Sequence, residues 1–373
     1  MDNKFSPRDI QSQTIDFLRF PLIIGVVFIH NTAAEIVING QVSGTDKYMP
    51  VFEYCSTLFS DVLGTIAVPL FFFMSGFLFF FNLQKFNVHS YRNKLQSRAK
   101  SLLVPYLFWN LVVFTLYYAM QNIPLLQGFT NKELDLHHFL SYFWNNSGEM
   151  KEGYLLEINT SSRMPIAYQF WFIRDLIVTV ILTPVIYFLC KTGKIYGVVI
   201  LALLWLSDWL FSFTGLSSTC LFFFTAGAYL GISKRNIIED FGKIRNLSFA
   251  LYPIVAIADL LTKEYIFNVY IHKIGIITGI IFCFNLVAFL LAKEKIRSVP
   301  FLSAASFFIF AVHALLLTIL RKISFMIFRP ESDFTMTSLY FINVILTVFI
   351  TLGMYYILRR FWPRFVAIIT GGR

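Results

Sequence analysis

The sequence predicts an all-α integral membrane protein with about ten transmembrane helices and both termini in the cytoplasm. Three observations predict it. The chain has too few charged residues for a water-facing surface, it carries a row of apolar segments of span length, and its Lys and Arg residues gather in alternate connections.

Of 373 residues, 57% are hydrophobic and 14% charged, and 44 are Phe. An ordinary soluble protein carries about 25% charged residues. No short apolar stretch followed by a small-residue cleavage site opens the chain, so no cleaved signal peptide is expected. A crossing helix needs about 20 apolar residues. Ten stretches approach that length: 17–38, 57–81, 101–120, 167–189, 195–213, 216–233, 247–262, 270–292, 300–320 and 337–358.

If the N-terminus is inside, the inner segments hold 20 Lys and Arg, including Lys85, Arg92, Lys94, Arg98 and Lys100. The outer segments, with Lys273 at the start of the eighth span counted among them, hold nine, and Arg19 and Arg174 fall within spans. This excess sets both termini in the cytoplasm. The 121–166 connection is then an extracytoplasmic loop, mildly acidic, with Glu133, Asp135, Glu149, Glu152 and Glu157 against Lys132, Lys151 and Arg163. No attached soluble domain and no pair of inverted halves is visible, so a single transmembrane domain over 1–373 is expected. The net charge of +10 suits loops facing anionic membrane lipid. No aromatic-basic motif points to nucleic acid. Cys55, Cys190, Cys220 and Cys283 lack metal or redox spacing, so no metal is expected.

Ionisable residues inside spans cost roughly 2.5–3.5 kcal/mol each and are functional candidates by default. In IDFLRFPLIIGVVFIH (15–30), Arg19 and His30 lie eleven positions apart. That step turns a helix about 20° past three full turns and rises about 16.5 Å. The two side chains therefore share a face, with Arg19 near the cytoplasm and His30 past the midplane. Asp16 precedes Arg19 by one turn and can pair with it, while snorkelling alone also accounts for an Arg at that depth. Glu35 falls near the outer interface, as a functional group or a solvated one. His313, in PFLSAASFFIFAVH, is expected at the depth of His30, with Ser306 two turns below on the same face. Arg174 enters from the outer side, about 10 Å deep, at the same level again. Asp175 points about 100° away from it, toward another helix. Arg98 and Lys100, at the cytoplasmic start of the third span, serve either as an ordinary basic flank or as a clamp for a phosphorylated ligand.

Taken together these segments resemble the membrane acyltransferase-3 family. Asp16, Arg19 and His30 match its Asp-x-x-Arg-x10-His pattern. VPLFFFMSGFLFF (68–80) is similar to its second-helix motif, and FWFIRDL (170–176), with Trp171, to its Trp-Phe-x-x-x-Leu segment. SFFIFAVH (306–313) is similar to its Ser-Phe/Tyr-x-x-Tyr-x-x-His segment, with Phe310 in place of the Tyr. The wording of 98–110 and 170–176 looks closest to the fucose 4-O-acetylase-like branch. Many members carry Arg-x-x-Arg where this chain has Arg98 and Lys100, two apart.

The resemblance implies a multi-pass O-acetyltransferase of the bacterial inner membrane. It would move an acetyl or other acyl group from cytoplasmic acetyl-CoA to a hydroxyl of a surface or lipid-linked glycan. Arg98, Lys100 and Arg19 would hold the acyl-CoA donor. His30 would act as general base or carry the acyl group itself, with Arg174 or His313 stabilising the developing charge. The competing reading is a transporter or flippase that uses Arg19 and Arg174 as counter-charges for an anionic or glycan-bearing substrate. Acceptor and oligomeric state stay open.

Overall fold

The computed structural model describes residues 7–38, 41–44, 48–123, 134–146 and 164–372. Of the charges counted in the outer loop, only Asp135 lies within them.

The chain is a bundle of helices. α1 (Pro7–Ile29) packs on the second helical segment and, late in the chain, on the helices at 237–242, 268–292, 300–328 and 333–361. A short hairpin follows, β1 (Glu35–Ile38) paired antiparallel with β2 (Gln41–Gly44). The first span was expected to continue to residue 38; instead α1 stops at Ile29. Its last turn tightens through bonds from the His30 and Asn31 amides to Val27 and Phe28, and the Asn31 side chain donates to the Tyr340 carbonyl at 2.8 Å. The run EIVI beyond it is rich in β-branched residues, which favour a strand. Among the described residues the protein is therefore helical with one small sheet.

The second segment is longer than predicted. α2 (Pro50–Ser56) passes through a π-helical stretch (Thr57–Leu63) and a 3-10 turn into α3 (Ala67–Phe81). The Asp333 carboxylate accepts the Val51 and Phe52 amides at 2.9 and 2.8 Å and caps its start. The third begins at a reciprocal Asn87–Ser90 cap, with α4 (Val88–Arg98), a π-helical stretch (Ala99–Leu103) and α5 (Val104–Asn122). After the loop helix α6 (Phe139–Tyr142) come α7 (Trp171–Ile181) and α8 (Thr183–Leu206). α8 leaves helical geometry at Lys194 (φ 47°, ψ −137°), and Gly197 packs back on Leu189, so it folds on itself where a connection was expected. α9 (Ser218–Ile232), α10 (Ile237–Gly242), α11 (Arg245–Leu261), α12 (Asn268–Ala292), α13 (Pro300–Phe328), α14 (Asp333–Phe361) and α15 (Pro363–Ile369) complete the chain.

Seven helical stretches among the described residues are long and apolar enough to cross a membrane, α8 included despite its reversal. The predicted spans 216–233 and 247–262 fall on the shorter helices α9 and α11, and 167–189 is divided between α7 and the first arm of α8.

α3 uses two faces. On one, Gly76 and Gly227 of α9 each meet the other helix's backbone; a Cβ on Gly76 would lie 2.0 Å from the Phe224 carbonyl oxygen, and one on Gly227 1.9 Å from that of Phe73. Backbone contact this close is available only to glycine, and it is how helices associate where no hydrophobic drive exists. The opposite face, with Phe71, Met74 and Ser75, is left to line a cavity.

Candidate active site

That cavity is about 160 Å³ and lies between α1, α3, α7 and α13, with Arg98 closing one side. α1 contributes Ile15, Arg19, Ile23 and Val26, a stripe at helical spacing that leads on to His30. α13 contributes Ser303, Ser306, Phe307 and Phe310, and leads on to His313. Two helices thus carry the same progression, polar at one end and imidazole at the other.

At the polar end, Arg19 pairs with Asp16 at 3.0 Å and donates to the Ser303 hydroxyl at 3.4 Å. About a third of its side chain stays exposed, so the guanidinium keeps donors for a ligand. Arg98 shares the cavity with Arg19, and two guanidiniums against the single Asp16 carboxylate leave an excess of positive charge in an apolar wall, which suits an anion. Lys100 is exposed, on the π-helical stretch, and does not line the cavity. Ser306 lines it, its hydroxyl donating to the Leu302 carbonyl at 2.8 Å.

At the far end the rings of His30 and His313 lie 5.3 Å apart. His313 is fully buried, and its Nδ1–H donates to the Phe310 carbonyl at 2.7 Å. This tautomer puts the lone pair on Nε2, which is buried without a hydrogen-bond partner among the described residues. A lone pair accepts protons and cannot donate to an oxyanion, so the geometry differs from the charge-stabilising role expected for His313. Phe310, in the cavity wall with its ring 6.0 Å from that of Phe172, also lies 6.2 Å from the His313 ring and so joins the cavity to the histidines.

Two further residues complete this end, and the sequence reading missed both. Tyr168 sits edge-on to His30 at 5.2 Å. Arg321 donates to the His30 carbonyl at 3.4 Å and acts electrostatically on both His30 and Tyr168. Arg321 was counted in an outer connection because the ninth span was ended at residue 320; α13 runs on to Phe328, which places Arg321 and Lys322 inside a helix. The available signal was the basic pair within an otherwise unbroken apolar run.

Arg174 is not brought to the histidines by any contact the structure shows. Its Nε and Nη2 bond Asp175 at 3.3 and 3.2 Å, its Nη1 donates to the Trp144 carbonyl at 2.6 Å, and the group lies over the Trp144 ring. Asp175 was expected to point elsewhere. The long Arg side chain folds back to reach it, and the second Asp175 oxygen accepts the Ser217 amide at 3.0 Å. Trp171 packs edge-on to Phe72 at 6.4 Å and does not line the cavity. Glu35 is exposed at the start of β1. No group of three His, Cys, Asp or Glu suited to a metal ion occurs among the described residues.

The acyltransferase domain family's sequence model matches residues 13–368. The chain belongs to the acyltransferase-3 family. The protein is thus an acyltransferase, and its long apolar helices make it a multi-pass membrane one. Among curated proteins it is 24% identical over 371 residues to the succinoglycan biosynthesis protein ExoH of Rhizobium meliloti (strain 1021), covering 97% of this chain and 92% of that one. No solved structure matches the acyltransferase significantly.

Proposed function

We propose that this acyltransferase takes an acyl group, acetyl in the simplest case, from cytoplasmic acyl-CoA and passes it to a hydroxyl of a cell-envelope polysaccharide or its lipid-linked precursor at the outer face of a bacterial inner membrane. The observation that carries this reading is the pairing of ends: Arg19 and Arg98 at one end of a cavity, and the His30–His313 pair beyond its other end, on the same two helices. The similarity to a succinoglycan biosynthesis protein supports a polysaccharide acceptor. The basic-residue excess supports both termini in the cytoplasm, and ten helical segments among the described residues, with α7 and the first arm of α8 taken as one and the second arm as another, support ten crossings.

In this reading Arg19 and Arg98 bind the donor's pyrophosphate, and the pantetheine arm follows the α1 stripe past Phe310. His30 takes the acceptor's hydroxyl proton as that oxygen bonds to the thioester carbonyl carbon. The carbon–sulfur bond then breaks, and the CoA thiolate leaves and picks up a proton. His313, held by Phe310 with its Nε2 lone pair free, steadies the imidazolium that forms on His30. Arg321 supplies positive charge for the oxyanion. Arg174 holds α7 to the loop carrying Trp144 and takes no part in the chemistry.

Mass spectrometry of envelope polysaccharide tests the outcome. A deletion strain should lack one acyl substituent, restored by the wild-type gene and not by His30→Ala. An unchanged acylation pattern in the deletion strain would refute the acceptor class.

A further inference from the structure

A second cavity of about 510 Å³ adjoins the first on the side of the α1 N-terminus. Its walls come from the same two helices one turn earlier, together with the loop that joins α12 to α13. On α1 Gln13 and Asp16 face this cavity while the neighbouring Ile15 and, one turn on, Arg19 face the first; on α13 Pro300 lines this one and Ser303 the first. The Asp16–Arg19 ion pair and the Arg19–Ser303 bond form the sill between the two.

The remaining wall is Leu291 at the end of α12 and the segment that follows it, in which Leu291 and Ile296 turn apolar surface inward, Glu294 adds a carboxylate, and Arg297 and Ser298 offer donors. The backbone leaves α12 through Glu294 in the left-handed conformation (φ 52°), a position usually taken by glycine. That bend carries the chain round to the cavity, where Ile296, Arg297 and Ser298 line its wall.

We propose that this cavity is the subsite for the nucleotide end of the acyl-CoA donor. The apolar wall takes the faces of the adenine, Gln13 and a carboxylate oxygen of Asp16 meet its amino edge, and Arg297 meets the ribose 3′-phosphate. The inference rests on the donor assigned under Proposed function and adds where the donor's other end lies. The dimensions agree: from Gln13 to His30 α1 rises about 25 Å at about 1.5 Å per residue, a span on the order of an extended CoA from base to thioester. Arg19 and Arg98 fall between, where the pyrophosphate must pass.

The test is calorimetric binding to the full-length protein in lipid nanodiscs, with CoA, 3′-dephospho-CoA and adenosine 3′,5′-bisphosphate as probes. Wild type should bind CoA about tenfold or more tightly than 3′-dephospho-CoA, and the bisphosphate should compete with CoA. Arg297→Ala should erase that preference by weakening CoA alone, and Leu291→Trp should exclude the bisphosphate by filling the space. Thermal unfolding reports whether each variant is folded, and Arg297, exposed in a loop, is the variant that keeps the test valid if Leu291→Trp does not fold. CoA binding that is tight in wild type and equally tight in Arg297→Ala overturns the subsite alone. A wild-type protein that binds none of the three probes overturns the donor reading and the subsite with it.

Discussion

Arg19 and Arg174, both within predicted spans, each stand beside an aspartate, and they are built for different purposes. Arg19 pairs with Asp16 at a cavity wall, keeps part of its surface open and has donors to spare. Arg174 pairs with Asp175 in a sealed knot, where the Trp144 carbonyl and ring take up what the carboxylate does not. By sequence both are charges inside spans. The difference teaches that the cost of burying an ion marks a residue as important without saying for what. Unused hydrogen-bonding capacity facing a cavity is the sign of a binding group; complete internal satisfaction is the sign of a structural one.

The largest expected effect lies on the sealed side. Arg174→Ala leaves the buried Asp175 without its cation, a loss of about 3–5 kcal/mol. Folded protein recovered from membranes should drop sharply, and whatever remains should unfold at lower temperature. A fully folded variant with normal donor affinity and no turnover would instead make Arg174 a catalytic group and erase the contrast.

Arg19→Ala should do the reverse. Folding should survive, since the Arg19–Asp16 pair is part-exposed and contributes little, while KM for acyl-CoA rises about tenfold or more through the lost phosphate contact. Arg19→Lys should recover part of that affinity, because an ammonium keeps the charge and loses the planar fork. Steady-state kinetics at saturating acceptor measure both, and an unchanged KM in Arg19→Ala would remove the cavity's polar end from donor binding.

Lys100→Ala gives the smallest change. Exposed and outside the cavity, it should shift KM less than about twofold, mostly at low salt. A larger shift would move the donor's phosphates from the cavity to the surface of the π-helical stretch.

What the sequence revealed divides along the same line. Helix periodicity is a local property, so the shared face of Arg19 and His30 on α1, and of Ser306 and His313 on α13, can be read from spacing. The apposition of the two histidines needed only similar depth from two span starts. Arg174 could not be sorted this way, because its fate depends on Trp144 in a loop and on Ser217 before α9, contacts that no periodicity encodes. Arg321 was hidden by a boundary, since hydropathy falls at a basic pair whether or not the helix stops there. The hairpin after α1 was hidden because an apolar, β-branched run at a span's end suits a continuing helix and a buried strand alike. The second cavity is a product of tertiary packing at a loop whose sequence reads as an ordinary basic flank.

The most direct test of the account is transfer by purified protein in proteoliposomes, with acetyl-CoA labelled in the acetyl group and the release of free CoA thiol followed alongside binding. Wild type should bind the donor and release thiol with label passing to a glycan acceptor. His30→Ala should bind the donor with the same affinity and lose about 10²–10⁴ in turnover. Turnover by His30→Ala at the wild-type rate would contradict the account, because it would leave the histidine end of the cavity without a part in the reaction.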